Sequence, residues 1–262
     1  MDLLKAKLTT QLKKQVCDLE LTANFADEVV SHCTFLNYDK ASMLFIQGSP
    51  ADLAFYVFAG VVKIYCPRSN GTRILMNVAG PGDLIGYADF IDSRGRRAQV
   101  FEAEALTKTS VALFTRDHML RLLQSLDQGS CSRLIERVNS AWSSIAHRFG
   151  TFLSMSFRER LEFALKELGE KFGVRDSRGI LLTLELTQSD FAEMIGSSRP
   201  MVSHLFAEMM KERVLLRQGK HIILAEPMAD KAPDSSGQLK HAPKKAGTYE
   251  PVARDVKRVA NM

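Results

Sequence analysis

The sequence predicts an α+β protein in three parts: an N-terminal β jelly roll, a long dimerisation helix and a C-terminal winged helix-turn-helix. Three observations carry this. Between 35 and 114, short β-rich runs alternate with Gly48, Gly60, Gly71, Gly80, Gly82, Gly86 and Gly95, the pattern of a sandwich or jelly roll. Between 135 and 152, bulky apolar residues step by three and four. Between 186 and 224, two short amphipathic helices separated by three residues are followed by a hairpin.

A chain of 262 residues is long enough for two domains, and a hydrophobic fraction of 45% is ample for their cores. The first domain is expected over 1–118. Its start, 1–35, reads as helical: Leu3, Leu4, Leu8, Leu12 and Val16 recur at helical spacing, and Phe25, Val29 and Val30 suggest a second short helix. Strands are expected at 55–58, 61–65, 73–78 and 110–114, with Asn70-Gly71 as a hairpin turn. A jelly roll of this size could be a metal-dependent enzyme, which would need clustered histidines. There is no histidine between His32 and His118. Neither catalysis nor a metal site is therefore expected.

The long helix is expected over 119–155. Ile135, Val138, Trp142, Ile145, Phe149 and Phe152 form its apolar seam. Such a helix can pack on its own domain or on a second copy. The dimer is favoured because the seam is bulky and joins two domains. A two-fold dimer would also set two recognition helices about one DNA turn apart.

The second domain is expected over 156–226. Ser156-Phe157-Arg158-Glu159 is a capping box that opens a helix burying Leu161, Phe163, Ala164, Leu165 and Leu168. Residues 169–179 read as a loop, and 180–184 as a strand. Thr187 is the next N-cap, with Asp190 three residues on. Phe191, Met194 and Ile195 share a face, and Gly196 ends the helix. Ser197 and Ser198 can cap the second helix, whose first turn holds Pro200. Met201, Val202, Leu205, Phe206 and Met209 should be buried there, leaving Arg199, Ser203 and His204 outside. Alone, this is either a packed helix pair with a solvated face or a reader of the DNA major groove, where Arg favours guanine. The strand pair 214–217 and 221–224 around Gln218-Gly219-Lys220 adds a wing. It would bring Arg213, Arg217, Lys220 and His221 near phosphates.

The net charge of +5 permits nucleic acid without demanding it. Charge across 157–226 balances, so attraction to DNA must come from placement. The four cysteines, Cys17, Cys33, Cys66 and Cys131, have no close pair, which fits reduced thiols. Cys66, beside a strand end, is either a redox thiol or idle. No apolar run approaches membrane-spanning length, and the N-terminus lacks the pattern of a signal peptide. A cytoplasmic location and no membrane partner are expected. Residues 227–262 carry four prolines, Lys240, Lys244, Lys245, Arg254, Lys257 and Arg258, and few large apolar residues. They are expected to form a disordered basic tail, either inert or adding salt-sensitive DNA affinity.

Four motifs make the chain resemble the Crp/Fnr family of bacterial transcription regulators over about 20–226. They are LFIQGSPAD at 44–52, GVVK at 60–63, PGDLIG at 81–86 and GSSRPMVS at 196–203. The resemblance implies a cyclic-nucleotide-binding-like jelly roll and a homodimer that binds a roughly palindromic double-stranded operator. It also implies contact with RNA polymerase. By position, it assigns base contacts to Arg199, Ser203 and His204, and phosphate contacts to Thr187, Ser189, Ser198 and Lys220. Pro200 replaces a base-reading Glu of many members, and His204 an Arg, so the operator should differ from the commonest half-sites.

The ligand pocket would comprise Gly86, Tyr87, Arg97, Ala98 and Ile145. Members that bind cyclic AMP use a Gly-Glu pair and an Arg-Ser pair. Here these are Gly86-Tyr87 and Arg97-Ala98, and the adenine-reading hydroxyl positions fall at about Ile145 and Ala146. These departures argue against standard cyclic AMP binding. Arg94, Arg96 and Arg97 could hold another anionic ligand or simply be a solvated loop. No cofactor is predicted, since neither the cysteine cluster of oxygen-sensing relatives nor the ligation pattern of haem-binding ones is evident. The alternative function is a nucleotide-binding sensor module whose ligand controls DNA binding.

Overall fold

The computed structural model describes residues 33–87, 98–132 and 152–225, with isolated helical positions at 6, 9, 10, 31, 135, 136 and 150. The N-terminal domain is two four-stranded antiparallel sheets. One runs in the order β1 (Thr34–Tyr38), β8 (Thr109–Thr115), β3 (Leu53–Ala59), β6 (Leu84–Ile85). The other runs β2 (Met43–Phe45), β7 (Glu102–Ala105), β4 (Val62–Pro67), β5 (Arg73–Ala79). Leu44, Phe45, Phe55, Val57, Val62, Ile85 and Val111 form one buried cluster in the jelly roll. The alternation of a half-buried strand is clearest in β7. Ala103 and Ala105 are fully buried, while Glu102 and Glu104 stand on the other face.

Helix α1 (Arg116–Gln124) follows β8, capped by Thr115, whose Oγ1 accepts from the His118 amide. Its Leu122 and Met119 pack with Tyr56, Ala112 and Phe114 of the first sheet. It stops at Ser125. A new helical stretch starts after Asp127, whose carboxylate accepts from the Ser130 amide at 2.9 Å and the Ser130 hydroxyl at 2.7 Å. A helix beginning at 119 is thus corrected: 119–124 is part of a sensor helix, and the break falls at 125–127. The N-terminal apolar positions, and Val138, Trp142, Ile145 and Phe149 of the seam, lie outside the described residues, as does the tail from 226 on.

The C-terminal domain comprises α2 (Phe157–Phe172), β9 (Gly173–Asp176), β10 (Gly179–Leu182), α3 (Gln188–Ile195), α4 (Arg199–Lys211), β11 (Leu215–Gln218) and β12 (His221–Ala225). Its sheet runs β11-β12-β10-β9. The Ser156–Glu159 capping box opens α2. The expected loop at 169–179 is instead the last turn of α2 and the β9–β10 hairpin. Its glycines allow close approach rather than breaking structure. A Cβ on Gly169 would meet Leu224 Cδ1 at 2.9 Å, and one on Gly173 would meet the Gly169 carbonyl oxygen at 2.2 Å.

The two domains share one apolar cluster. Val61, Tyr65, Leu75, Val78 and Leu106 of the jelly roll are buried with Leu161, Leu165, Phe191, Ile195 and Met209. The end of α2 docks on the turn after β5. Lys171 Nζ lies 2.6 Å from Asp83 Oδ2 and donates to the Val78 carbonyl at 2.9 Å. Phe172 covers Gly80 so closely that a Cβ there would meet its ring at 2.6 Å. No helix among the described residues is long and apolar enough to cross a membrane.

Leu165 is fully buried in this shared cluster. Replacing it by Ala should lower the free energy of unfolding by about 2–5 kcal/mol, the range for emptying a core leucine site. Denaturant titration with an unchanged slope would check this.

Candidate nucleic-acid interface

The expected helix-turn-helix is α3 and α4. Thr187 caps α3: its Oγ1 accepts from the Asp190 amide at 3.1 Å. Asp190 Oδ2 returns the bond, accepting from the Thr187 amide and hydroxyl, both at 2.7 Å. Burial alone would raise the Asp190 carboxyl. The Thr187 hydrogen bonds and the Lys63 ammonium outweigh it and hold the group below its ordinary 3.8. Phe191, Ala192 and Ile195 are buried, and Gly196 ends α3 in the left-handed region at φ 67°.

Ser198 then caps α4, its Oγ accepting from the Met201 amide at 3.4 Å. Pro200 lies in the first turn. Val202, Leu205, Phe206 and Met209 are buried, with Phe206 against Phe191 at 5.3 Å between ring centroids. Met201, expected inside, is exposed. The 202, 205, 206, 209 stripe already fills the inward face, and Met201 stands one step off it.

That packing leaves a polar outer face. Arg199, Pro200, Ser203 and His204 are all exposed. Arg199 has no ion pair with a described residue, whereas His204 Nε2 lies 3.2 Å from Glu208 Oε1 one turn on. Thr187, Ser189 and Ser198 are exposed at the starts of the two helices, where unsatisfied amides favour anions. The wing turns at Gly219-Lys220, with Gly219 at φ 61°. Lys220 is well exposed, its Nζ 3.6 Å from Glu185 Oε2. Arg217 folds back, donating from Nε to the Gly219 carbonyl at 3.0 Å. His221 pairs with Gln218 beside the wing turn and faces the jelly roll rather than solvent. It lines a cavity of about 230 Å³ between the domains with Lys40, Leu106, Thr107, Thr183, Leu184 and Glu185.

In the jelly roll, Gly86 takes φ 77°, with the Leu53 carbonyl 3.1 Å from where a Cβ would stand. Gln99 Nε2 donates to the Gly86 carbonyl at 3.2 Å, and Ala98 bridges to Pro50. Tyr87 is exposed. Arg97 and Ile145 lie outside the described residues. Of the seam, Ile135 is exposed and Phe152 is half-buried. It packs against the shared apolar cluster, under the Arg160 guanidinium at 4.9 Å, and its carbonyl accepts from Arg160 Nε at 3.1 Å. Cys66 is half-buried in β4.

The polar residues that sequence reasoning missed hold the helix-turn-helix to the jelly roll. Lys63 Nζ sits 3.1 Å from both Asp190 Oδ1 and Glu104 Oε1. Arg73 sits 3.1 Å from Glu104 Oε2 and 3.4 Å from Glu193 Oε1, with its guanidinium 3.8 Å above the Tyr65 ring. Burial would lower the Lys63 ammonium, but Tyr65 and Asp190 outweigh it and hold it above its ordinary value. Two traces were present: a lysine inside the apolar run Val61-Val62-Lys63-Ile64-Tyr65, and the alternation Glu102-Ala103-Glu104-Ala105.

Because the folded-state value of Asp190 is depressed, its contribution is present above 3.8 and is lost as pH falls through the lower folded value. Denaturant midpoints followed below pH 3.8 should therefore drop, and the drop should shrink in Asp190→Asn. Thr187→Ala, which removes the cap, should cost about 0.5–2 kcal/mol at neutral pH.

Residues 35–126 match the cyclic nucleotide-binding domain family, and residues 159–229 the Crp-like helix-turn-helix domain family. The chain is similar to the CRP-like cAMP-activated global transcriptional regulator of Mycobacterium tuberculosis, 20% identical over 73% of this chain and 84% of that one. It is also similar to the CRP-like protein Clp of Xanthomonas campestris, 20% identical over 83% of this chain and 95% of that one. Among solved structures, the c-di-GMP responsive global regulator CLP of Xanthomonas campestris has a TM-score of 0.65 at 17% identity, covering 78% of this chain and 99% of that one. A cyclic nucleotide-binding domain containing protein from Listeria monocytogenes has a TM-score of 0.60 at 18% identity, covering 82% and 97%. At these identities the structural likeness concerns the fold. The jelly roll, the capped helix pair with its outward polar face and the two family matches together account for most of the described residues, and the chain belongs to the Crp/Fnr family of DNA-binding transcription regulators.

Proposed function

We propose that this regulator works as a homodimer that reads a roughly palindromic operator, each copy using Arg199, Ser203 and His204 on base edges. Thr187, Ser189, Ser198 and Lys220 grip phosphates. Residues up to 124 take the signal, the helical stretch that starts after Asp127 joins the two copies, and 156–226 read DNA, with the basic tail 227–262 following. Contact with RNA polymerase makes binding productive at promoters, in the cytoplasm. The observation that carries the reading is the exposed face of α4, with Arg199 at its start in no ion pair with a described residue. A guanidinium there can approach guanine bidentately. His204, partly engaged by Glu208, is the weaker reader.

Gel-shift titration on promoter fragments tests this. Sequence preference that survives added salt is expected; equal binding of random DNA would sink the reading. Arg199→Ala should cost about 1–3 kcal/mol and relax preference at one position, whereas Lys220→Ala should weaken all sequences alike and reduce the salt slope by about 1.

A nucleotide ligand for the jelly roll is the second reading, favoured by the match to cyclic nucleotide-binding domains and by the tight Gly86 turn. The relative in Mycobacterium tuberculosis is named as cAMP-activated and CLP as c-di-GMP responsive. Tyr87 offers no carboxylate and Ala98 no hydroxyl where cyclic AMP would use them, so a different anionic nucleotide held by Arg94, Arg96 and Arg97 fits better. Thermal-shift measurement with cyclic AMP, cyclic GMP and cyclic di-GMP distinguishes them. A ligand at a hundred times its dissociation constant should stabilise by about 2.7 kcal/mol. No shift with any of the three would leave a regulator controlled by another signal.

A further inference from the structure

We infer that Lys63, in the jelly roll, is a positioning residue for DNA reading: its buried pairing with Asp190 fixes the angle of the helix-turn-helix against the sensor, and so the separation of the two recognition helices in the dimer. The inference rests on the homodimeric reading above.

The geometry is a two-layer ion lattice. The outer face of the second sheet offers the cations Lys63 and Arg73, with Glu104 between them, 3.1 Å from each. Helix α3 offers the acids Asp190 and Glu193, three residues apart and therefore on one face. Lys63 takes Asp190 at 3.1 Å and Arg73 takes Glu193 at 3.4 Å. Lys63 and Asp190 are 7% and 6% exposed, so the central pair is closed off from water while the Arg73 pair lies at its rim. Apolar contacts around them, such as Leu75 against Ile195's cluster, tolerate sliding because dispersion has no direction. Buried charges slide less freely, since displacing α3 leaves Lys63 with Glu104 alone and Asp190 Oδ1 without its cation or water.

Asp190 transmits the constraint. One oxygen meets Lys63, and the other holds the Thr187 amide and hydroxyl at 2.7 Å. The sensor strand β4 thus fixes the start of α3, where the exposed Thr187 and Ser189 stand. Three residues after α3 ends, α4 begins with its reading face pointing away from this contact, since Arg199, Ser203 and His204 stay exposed. The lattice therefore orients the reader without covering it.

The test uses the full chain and duplexes carrying two inverted half-sites, selected by the wild-type protein from a random pool. Their separation is varied in single base pairs across one helical turn. Wild-type affinity should peak at one separation and fall when the half-sites are displaced by about five base pairs, half a turn. Lys63→Met should keep its preference for the half-site sequence but reduce the ratio between best and worst separations by about twofold or more, the low end of coupling between residues in contact. Lys63→Arg, which retains the charge, should restore the peak. The double variant Lys63→Met/Asp190→Asn removes both charges and should flatten the profile as well, which covers the case where Lys63→Met fails to fold. Loss of affinity at every separation with an unchanged ratio, or a wild-type profile in the double variant, would overturn the inference alone. A flat profile in the wild type would overturn the two-fold dimer and this inference with it.

Discussion

Much of this molecule hangs on one carboxylate. Asp190 Oδ2 closes the capping box of α3 and Asp190 Oδ1 meets Lys63 of β4. The cap is local, spanning three residues; the ion pair spans 127 positions of sequence. A group 6% exposed has its charge sustained only because both oxygens are occupied. Removing either partner leaves the other interaction weaker. The start of the DNA-reading motif and the seam between domains are therefore coupled through a single side chain.

The seam exists because the second sheet uses both faces. Inward, Val62, Ala79, Ala103 and Ala105 fill the jelly roll. On the other side, Tyr65, Leu75 and Val78 join the core of the reading domain. The same period of two that buries alanines in β7 puts Glu104 opposite Lys63 in the register of β4. On a lone jelly roll this face would be an exposed apolar patch. Docking α2 and α3 there covers it and leaves the helix faces turned away from it for DNA.

What could be read in the sequence divides along physical lines. Features fixed within four residues were legible: the Ser156 and Thr187 boxes, the Gly196 stop, the Ser198 cap and the Asn70-Gly71 turn. Periodicity recovered β3, β4, β5, β8 and both wing strands. Features fixed by a distant partner were not. Gly169 and Gly173 look like breakers until Leu224 and Ile180 come within contact. That Phe152 also packs within its own copy, under Arg160, could not be read from heptad spacing. His221 belongs with the wing basics by position, yet it lines a cavity shared with Lys40. The exposed residues Arg199, Ser203 and His204 were legible because they are what an amphipathic helix leaves outside. The ion lattice was not, because its members come from four elements.

The choice of ions rather than more leucines at the centre of the seam has a physical consequence. A buried pair adds little net stability over a well-packed apolar replacement, yet removing one partner costs about 3–5 kcal/mol. Its effect is selective: it penalises every orientation that separates the partners while adding little to the correct one. The surrounding apolar cluster supplies adhesion, and the seam beside it is not closed throughout, since a cavity of about 230 Å³ remains between β12, the β10–α3 connection and the sensor. Adhesion that permits sliding, combined with charges that resist it, defines an interface with few allowed geometries rather than a continuum. If the output is the separation of two helices on DNA, as proposed above, that discreteness matters more than the strength of the contact.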